Sequence, residues 1–293
     1  MFSLSQPAAG FLYGVIAYTM WGIFPLFFNL LRHVPSTEVL LHRVIWSFVF
    51  VSLLMLLAGQ RKRIIQAFKT PGLLQGLAIS SLLVSLNWLV YIWSVAQGRV
   101  LESSLGYFLT PLVSVFLARV FLKEQLDKSR KLAIVLASAG ILWLVVSLGH
   151  LPWISLALAI SFGLYGLVRK QLSVDTLTGL LLETGMMLPV ALSYWAYLLW
   201  QEQSLFYVAG GDLTLLMMVS GVVTAMPLLL FASAAKKMSL SALGFMMYIN
   251  PTLQFFIAIF ILKESFESDQ LIGFIFIWCA LIVFTLGSLK KHN

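Results

Sequence analysis

The sequence predicts an all-α integral membrane protein: ten transmembrane helices forming two inverted five-helix repeats, with both termini cytoplasmic. Three observations predict it: an apolar composition, basic residues gathered between alternate apolar runs, and a motif that returns in the second half of the chain. Of the 293 residues, 60% are hydrophobic and only 10% charged, and mean hydropathy is +0.96. A soluble domain carries about a quarter of its residues as charges, so lipid rather than water must cover most of this surface.

Ten apolar runs stand at 10-31, 36-58, 72-95, 101-120, 130-149, 152-169, 177-200, 212-234, 239-262 and 269-289. Each approaches the roughly 20 helical residues that a ~30 Å hydrocarbon core requires. The fifth and sixth are separated only by Gly149 to Leu151, and Pro152 supplies the break. The first run has no basic leader and no small-residue exit, so it reads as a retained helix rather than a cleaved signal. Neither end carries a lipidation motif.

Orientation follows from Lys and Arg, which collect on the cytoplasmic side. One side of the ten-span layout holds Arg61, Lys62, Arg63, Lys69, Arg119, Lys123, Lys128, Arg130, Lys131, Arg169, Lys170, Lys236, Lys237, Lys290 and Lys291, fifteen of the nineteen basic residues. The other holds Arg32, Arg99 and Lys263, and Arg43 falls within the second span. Because the net charge of +8 is spread over short joints, it describes membrane topology and not a nucleic-acid face.

The repeat is read from matching elements. Ser104-Leu105-Gly106-Tyr107 resembles Ala242-Leu243-Gly244-Phe245, and each is followed by a proline, Pro111 or Pro251. From there to Lys123-Glu124 and Lys263-Glu264 the distances are equal, an offset of 140. Upstream the offset is 138, so the second copy carries two extra residues between glycine and proline, where its helix is expected to unwind. Trp21-Gly22 and Tyr165-Gly166 pair more weakly at offset 144. The repeats are residues 1-149 and 150-293. Five spans per copy invert the second relative to the first, the arrangement with which secondary transporters alternate access to a central site.

A family resemblance sits on these residues. The five-plus-five layout with a Leu-Gly element and a proline followed by Lys-Glu resembles the EamA domain of the drug/metabolite transporter superfamily over essentially the whole chain. Ala17-Tyr18, Trp21-Gly22-Ile23, Val34-Pro35, Glu38 and His42-Arg43-Val44-Ile45-Trp46-Ser47 resemble its RarD subfamily of permeases. Asn87-Trp88, Glu102-Ser103-Ser104-Leu105-Gly106-Tyr107 and Tyr248-Ile249-x-Pro251-Thr252-Leu253 are similar to the same subfamily. The resemblance implies membrane transport, most often efflux, by ten helices around a central cavity.

Ionisable groups inside spans are costly and few. Arg43 lies about seven residues into span two and Glu183 about six into span seven, repeat-equivalent at offset 140. At 1.5 Å per residue each is roughly 10 Å deep from opposite faces, which argues against a direct salt bridge. They are expected either to gate opposite mouths, with Glu183 exchanging a proton, or to be satisfied locally. His42, with Glu38 one turn before it, offers either a pH-sensitive contact at the outer face or an interfacial cap. Trp21, Asn87, Tyr91, Tyr107, Tyr165, Tyr248 and Asn250 lie nearest mid-membrane and would line a cavity for small amphipathic or aromatic solutes, although each alone also suits packing. Trp46 and Trp93 are expected in the interfacial belt. Pro25, Pro111, Pro227 and Pro251 interrupt apolar segments as hinges or static kinks. Gly14, Gly22, Gly163 and Gly166 are expected at close helix contacts.

The expected partners are a small-molecule substrate, membrane lipid and, in a coupled carrier, protons; the residues leave monomer and homodimer open. No metal or cofactor is expected: the single Cys279 builds no thiolate cluster, the four histidines are scattered, and there is no phosphate-binding glycine loop. The alternatives are a membrane-embedded enzyme acting on lipid-linked substrates, which should show a clustered acid, base or nucleophile, and a channel, which should show a filter or a ring of like charges. The sequence offers neither signature. A permease exporting small amphipathic metabolites or drugs by alternating access is the reading it favours.

Overall fold

The computed structural model describes residues 6–121, 123, 128–148, 151–206, 210–235, 237 and 246–289, and among them every regular element is helical. The first apolar run is two helices, α1 (Gln6–Gly22) and α2 (Phe24–Leu30), where the sequence suggested one. Pro25 explains the break at Ile23: it has no N–H for the carbonyl of Trp21, four residues before it. There follow α3 (Ser36–Leu57), α4 (Arg61–Lys69), α5 (Leu73–Ala96), α6 (Val100–Phe121), α7 (Lys128–Leu148), α8 (Trp153–Gln171), α9 (Thr176–Trp200) and α10 (Gly211–Ala235). Last come α11 (Ile249–Phe256), which passes into a π-helical turn at Ile257–Ile261, and α12 (Ser268–Leu289).

Among the described residues seven helical segments are long and apolar enough to cross a membrane: Ala8–Leu30, Ser36–Leu57, Leu73–Ala96, Val100–Phe121, Trp153–Gln171, Thr176–Trp200 and Gly211–Phe231. The other three expected spans contain shorter apolar helices, Lys131–Ser147, Ile249–Ile261 and Leu271–Ala280. Part of the ninth run, 239–245, lies outside the described residues, as do Gly149, Glu124, Lys236, Lys290 and Lys291. The segment read as a basic loop after span two contains the short helix α4. Its Ile64 and Phe68, four apart, make an apolar stripe between Arg61, Lys62, Arg63 and Lys69.

Helix ends follow local chemistry. Asp175 caps α9, accepting from the Thr178 N–H at 3.1 Å and its hydroxyl at 2.7 Å. The Lys-Glu motif is a helix stop. Lys123 and Lys263 both adopt left-handed backbone, φ 55° and 58°, and the Glu264 N–H returns to the Ala258 carbonyl at 3.0 Å. The Glu264 carboxylate then accepts the Val100 and Leu101 N–H groups, at 2.7 and 2.8 Å, and so caps α6. Burial pushes the Glu264 carboxyl above its ordinary value, opposed by those two donors and reinforced by nearby Glu102.

Of the prolines, Pro111 and Pro227 sit inside helices that run on through them, as does Pro189 in α9, which the sequence had not singled out. A turn at Met247 and Tyr248 precedes α11 and Pro251, inside the stretch that carries the two extra residues, whereas α6 is unbroken at the matching place.

The packing is reciprocal. α8 lies against α5 and α6, α1 against α10 and α11; α3 meets α9 and α10, α9 also meets α5, α6 meets α11, and α7 pairs with α12. Glycines bring backbones together: a Cβ on Gly140 would stand 2.7 Å from the Gly273 carbonyl oxygen, and one on Gly273 would collide with Leu144. Gly14, Gly22 and Gly163 are equally close to Met246, Leu253 and Val113. Gly166 is not: its missing Cβ would meet nothing within 4 Å.

Candidate functional site

Arg43 is almost wholly buried, at 3% exposure. Its Nε donates to the Thr224 hydroxyl at 2.5 Å, and its guanidinium lies over the rings of Trp88, Phe28 and Phe24, at 4.3, 5.1 and 5.7 Å. Such cation–π contacts replace part of the lost hydration. Its Nη1 has no hydrogen-bond partner among the described residues. On α5, Asn87 donates from Nδ2 to the Leu158 carbonyl and the Ser161 hydroxyl, both at 3.0 Å. Its Oδ1 accepts from the Tyr107 hydroxyl at 3.2 Å, so α5, α6 and α8 are joined by one buried amide. The Tyr91 hydroxyl is buried without a partner among the described residues.

Glu183 is held apart from Arg43. Its Oε1 accepts from the Ser80 hydroxyl at 2.5 Å and faces Arg169 Nη1 at 3.5 Å, an ion pair without hydrogen-bond geometry. Tyr165 reaches Oε2 only at 3.5 Å. Sequence reading left Arg169 among the loop charges; its side chain instead turns in over Gly179, where a Cβ would collide with the guanidinium. The missed signal was spacing: Tyr165 and Arg169, four apart on α8, share a face.

Between the two ionisable residues runs a row of rings. Phe28, on which Arg43 lies, is 6.0 Å from Tyr91; Tyr91 is 5.8 Å from Tyr107, Tyr107 6.3 Å from Phe162, and Phe162 5.8 Å from Tyr165, the contact of Glu183. Asn87, Tyr91, Tyr107 and Tyr165 are thus brought together. Trp21 and Asn250 belong to a neighbouring group in which Trp21 packs on Tyr18 and Phe231, at 5.5 and 5.7 Å. Tyr248 stands elsewhere, stacked on Phe108 at 6.4 Å.

Gln254, which sequence reading missed as a neutral residue, joins the Trp21 group. Its Nε2 donates to Asn250 Oδ1 at 2.7 Å and to the Trp21 carbonyl at 3.3 Å, the acceptor that Pro25 leaves without a donor. Gln254→Leu is therefore expected to cost about 1–3 kcal/mol, the penalty of stranding a buried acceptor. A lowered unfolding midpoint in detergent would register it; an unchanged midpoint would mean the carbonyl finds another donor.

The His42–Glu38 contact, one of the two readings of this pair, does not form among the described residues. Both residues are fully buried. Glu38 Oε1 accepts from the Ser204 hydroxyl and the Leu205 N–H, at 2.7 and 2.8 Å, in the connection between α9 and α10. His42 instead stacks on Phe206 at 4.4 Å and meets Trp195 edge-on at 5.1 Å, with neither ring nitrogen hydrogen-bonded among the described residues. That aromatic box satisfies its apolar faces and excludes the pairing. Trp46 is likewise no belt residue: it packs inside the bundle against Phe206 and Gly221. Trp93 pairs with Trp153 at 5.4 Å beside a crevice of about 630 Å³ that Arg32, Pro35 and Gln97 also line. A second crevice, about 520 Å³, lies between α3, α4, α5 and α9 and is lined by Phe48, Arg61, Phe68, Leu181 and Gly185. Neither includes any of the seven residues expected near mid-membrane.

The family description "EamA-like transporter family" matches residues 8–146 and again 151–286. The chain belongs to that family. It is 43% identical to an uncharacterized transporter of Vibrio cholerae serotype O1, over 97% of this chain and 94% of that one. Against Protein RarD of Escherichia coli (strain K12) identity is 42%, over 98% and 97% of the two chains. A Pseudomonas aeruginosa relative called chloramphenicol-sensitive protein RarD is 32% identical over 94% and 92%. These relatives make the chain a RarD-type EamA permease, a multi-pass inner-membrane transporter rather than an enzyme. A crystal structure described only as that of a protein shares the fold at TM-score 0.66 with 18% identity, covering 99% of both chains.

Proposed function

We propose that this EamA permease is a secondary carrier that exports small amphipathic metabolites or drugs, with a central path along Tyr91, Tyr107 and Tyr165. The observation that carries the reading is the row of rings between Arg43 and Glu183. It offers apolar area with hydroxyl handles at intervals, suited to organic solutes rather than bare ions. The halves, residues 1-149 and 150-293, are five-span inverted repeats with both termini cytoplasmic. The reciprocal packing supports this: the first helix of each half lies against the third and fourth spans of the other. So do the family match, made once in each half, and the left-handed Lys123 and Lys263 at equivalent positions. Alternating access is then an exchange of packing between like halves, with Pro25 and Pro251, each beside a helix break, as hinges. Glu183, held by Arg169, Ser80 and Tyr165, is the proton-coupling group.

Counterflow in liposomes tests the carrier. With amino acids, aromatic metabolites and amphenicols as solutes, the wild-type protein is expected to exchange at least one, and the Tyr107→Ala/Tyr165→Ala double variant to lose at least about tenfold in rate, the order of several lost packing and hydrogen-bond contacts. A double variant that elutes as a single folded species yet exchanges at the wild-type rate would remove the path from these residues.

A further inference from the structure

We infer that Arg43 is the anion-recognising group of the carrier and that the transported solute bears a carboxylate or equivalent anionic oxygen. The inference rests on the carrier reading and names the class of solute. A guanidinium stays charged at neutral pH, and here it sits about seven residues into a spanning helix with almost no exposure. Charges at that depth are normally paired. Each other buried or half-buried charge of the interior has an opposite charge or a donor on at least one oxygen: Glu183 has Arg169 and Ser80, Glu38 has Ser204 and Leu205, Glu102 has Arg99, and Glu264 has two backbone donors, although Oε2 of Glu38 and of Glu102 makes no hydrogen bond among the described residues. Among the described residues no carboxylate comes within 4 Å of Arg43.

What surrounds Arg43 leaves its recognition capacity unspent. Thr224 takes only Nε, and the rings take the faces, while Nη1 makes no hydrogen bond among the described residues. A second buried donor, the Tyr91 hydroxyl, is also unused, and Tyr91 is in ring contact with the same Phe28 on which the guanidinium rests. A guanidinium and a phenol, both desolvated and both short of an acceptor, form a recognition pair for an oxyanion. The adjoining rings would take the apolar part of the same solute. A purely structural arginine would instead be expected to use Nη1 on a backbone carbonyl or a carboxylate.

The test uses purified protein in detergent at neutral pH, titrated with acetate, 3-phenylpropionate and indole-3-acetate, each against its neutral amide. Binding is read from the unfolding midpoint and from tryptophan fluorescence. At least one aromatic carboxylate should bind about tenfold or more tightly than its amide, as expected for a charge-assisted contact in a desolvated site. Arg43→Gln should abolish that preference. Because Arg43→Gln also removes buried packing on three rings, Tyr91→Phe is the second arm. It deletes an unpartnered hydroxyl, so the free protein should be no less stable, yet the carboxylate should bind several-fold more weakly. Equal binding of acid and amide throughout the series, including no binding of either, overturns the inference, as does a preference that survives in folded Arg43→Gln. Counterflow of a neutral or cationic solute would still uphold the carrier, so the two readings fail separately.

Discussion

Gly221→Ala should destabilise the protein by about 3 kcal/mol, near the upper end of what overpacking costs in a well-packed interior. The added Cβ would collide with the main chain of Trp46 and Ser47, and those atoms cannot rotate out of the way as a side-chain tip can. The same crossing holds the hydrogen bond from the Ser47 hydroxyl to the Gly221 carbonyl at 3.1 Å, so separating α3 from α10 also stretches a buried bond. Gly166→Ala is the matched control. It lies within α8 with open space around it, and relief of glycine's unfolded-state entropy should raise stability by about 0.5–1 kcal/mol. Unfolding in detergent, followed by tryptophan fluorescence, should move the two midpoints in opposite directions. If both rise alike, helix propensity rather than contact with α3 governs position 221.

The second large effect is expected at Arg169. Arg169→Met leaves the Glu183 carboxylate buried with only Ser80 and a long contact to Tyr165, and removing one partner of a buried pair costs about 3–5 kcal/mol. Glu183→Gln should cost less, because the Arg169 side chain is already 15% exposed and can extend toward the interface. The double variant should recover most of the loss, giving a coupling energy of about 2 kcal/mol or more. Additive losses would show that the ion pair carries no net stability. The same Glu183→Gln protein tests proton coupling: solute counterflow should persist while uptake driven by a pH gradient disappears. Gradient-driven uptake that survives in this variant would remove Glu183 from the coupling step.

The sequence made some of this legible and hid the rest for identifiable reasons. Arg43 and Glu183 stood out because ionisable residues are scarce inside apolar runs, and among the described residues no ion pair joins them. Lys263 and Glu264 were visible as half of a repeated motif, but their work as a left-handed helix stop and a cap on α6 depends on a neighbour 164 residues away in the chain. Arg169 was concealed by its place at a helix end, where topology alone accounts for basic residues. His42 and Arg43 are adjacent, yet neighbours on a helix point about 100° apart. One enters the box of Trp195 and Phe206, and the other enters the rings of α2 and α5. No local pattern distinguishes these destinations, because the partners come from elements far along the chain. The break at Ile23 is the opposite case, since Pro25 announces it locally while its repair by Gln254 is tertiary.

The reciprocal packing also constrains biosynthesis. α1 leaves the ribosome well before the helices it lies against, α10 and α11, which follow α2 to α9 in the chain. Until then α1 must reside in the bilayer without those partners, stable through its own backbone hydrogen bonds and apolar surface. Its composition meets that demand, for Ala8–Leu30 contains no ionised side chain. α8 faces no such wait, because α5 and α6 precede it into the membrane. Two halves built to one plan therefore assemble on different schedules, and the later one completes the earlier.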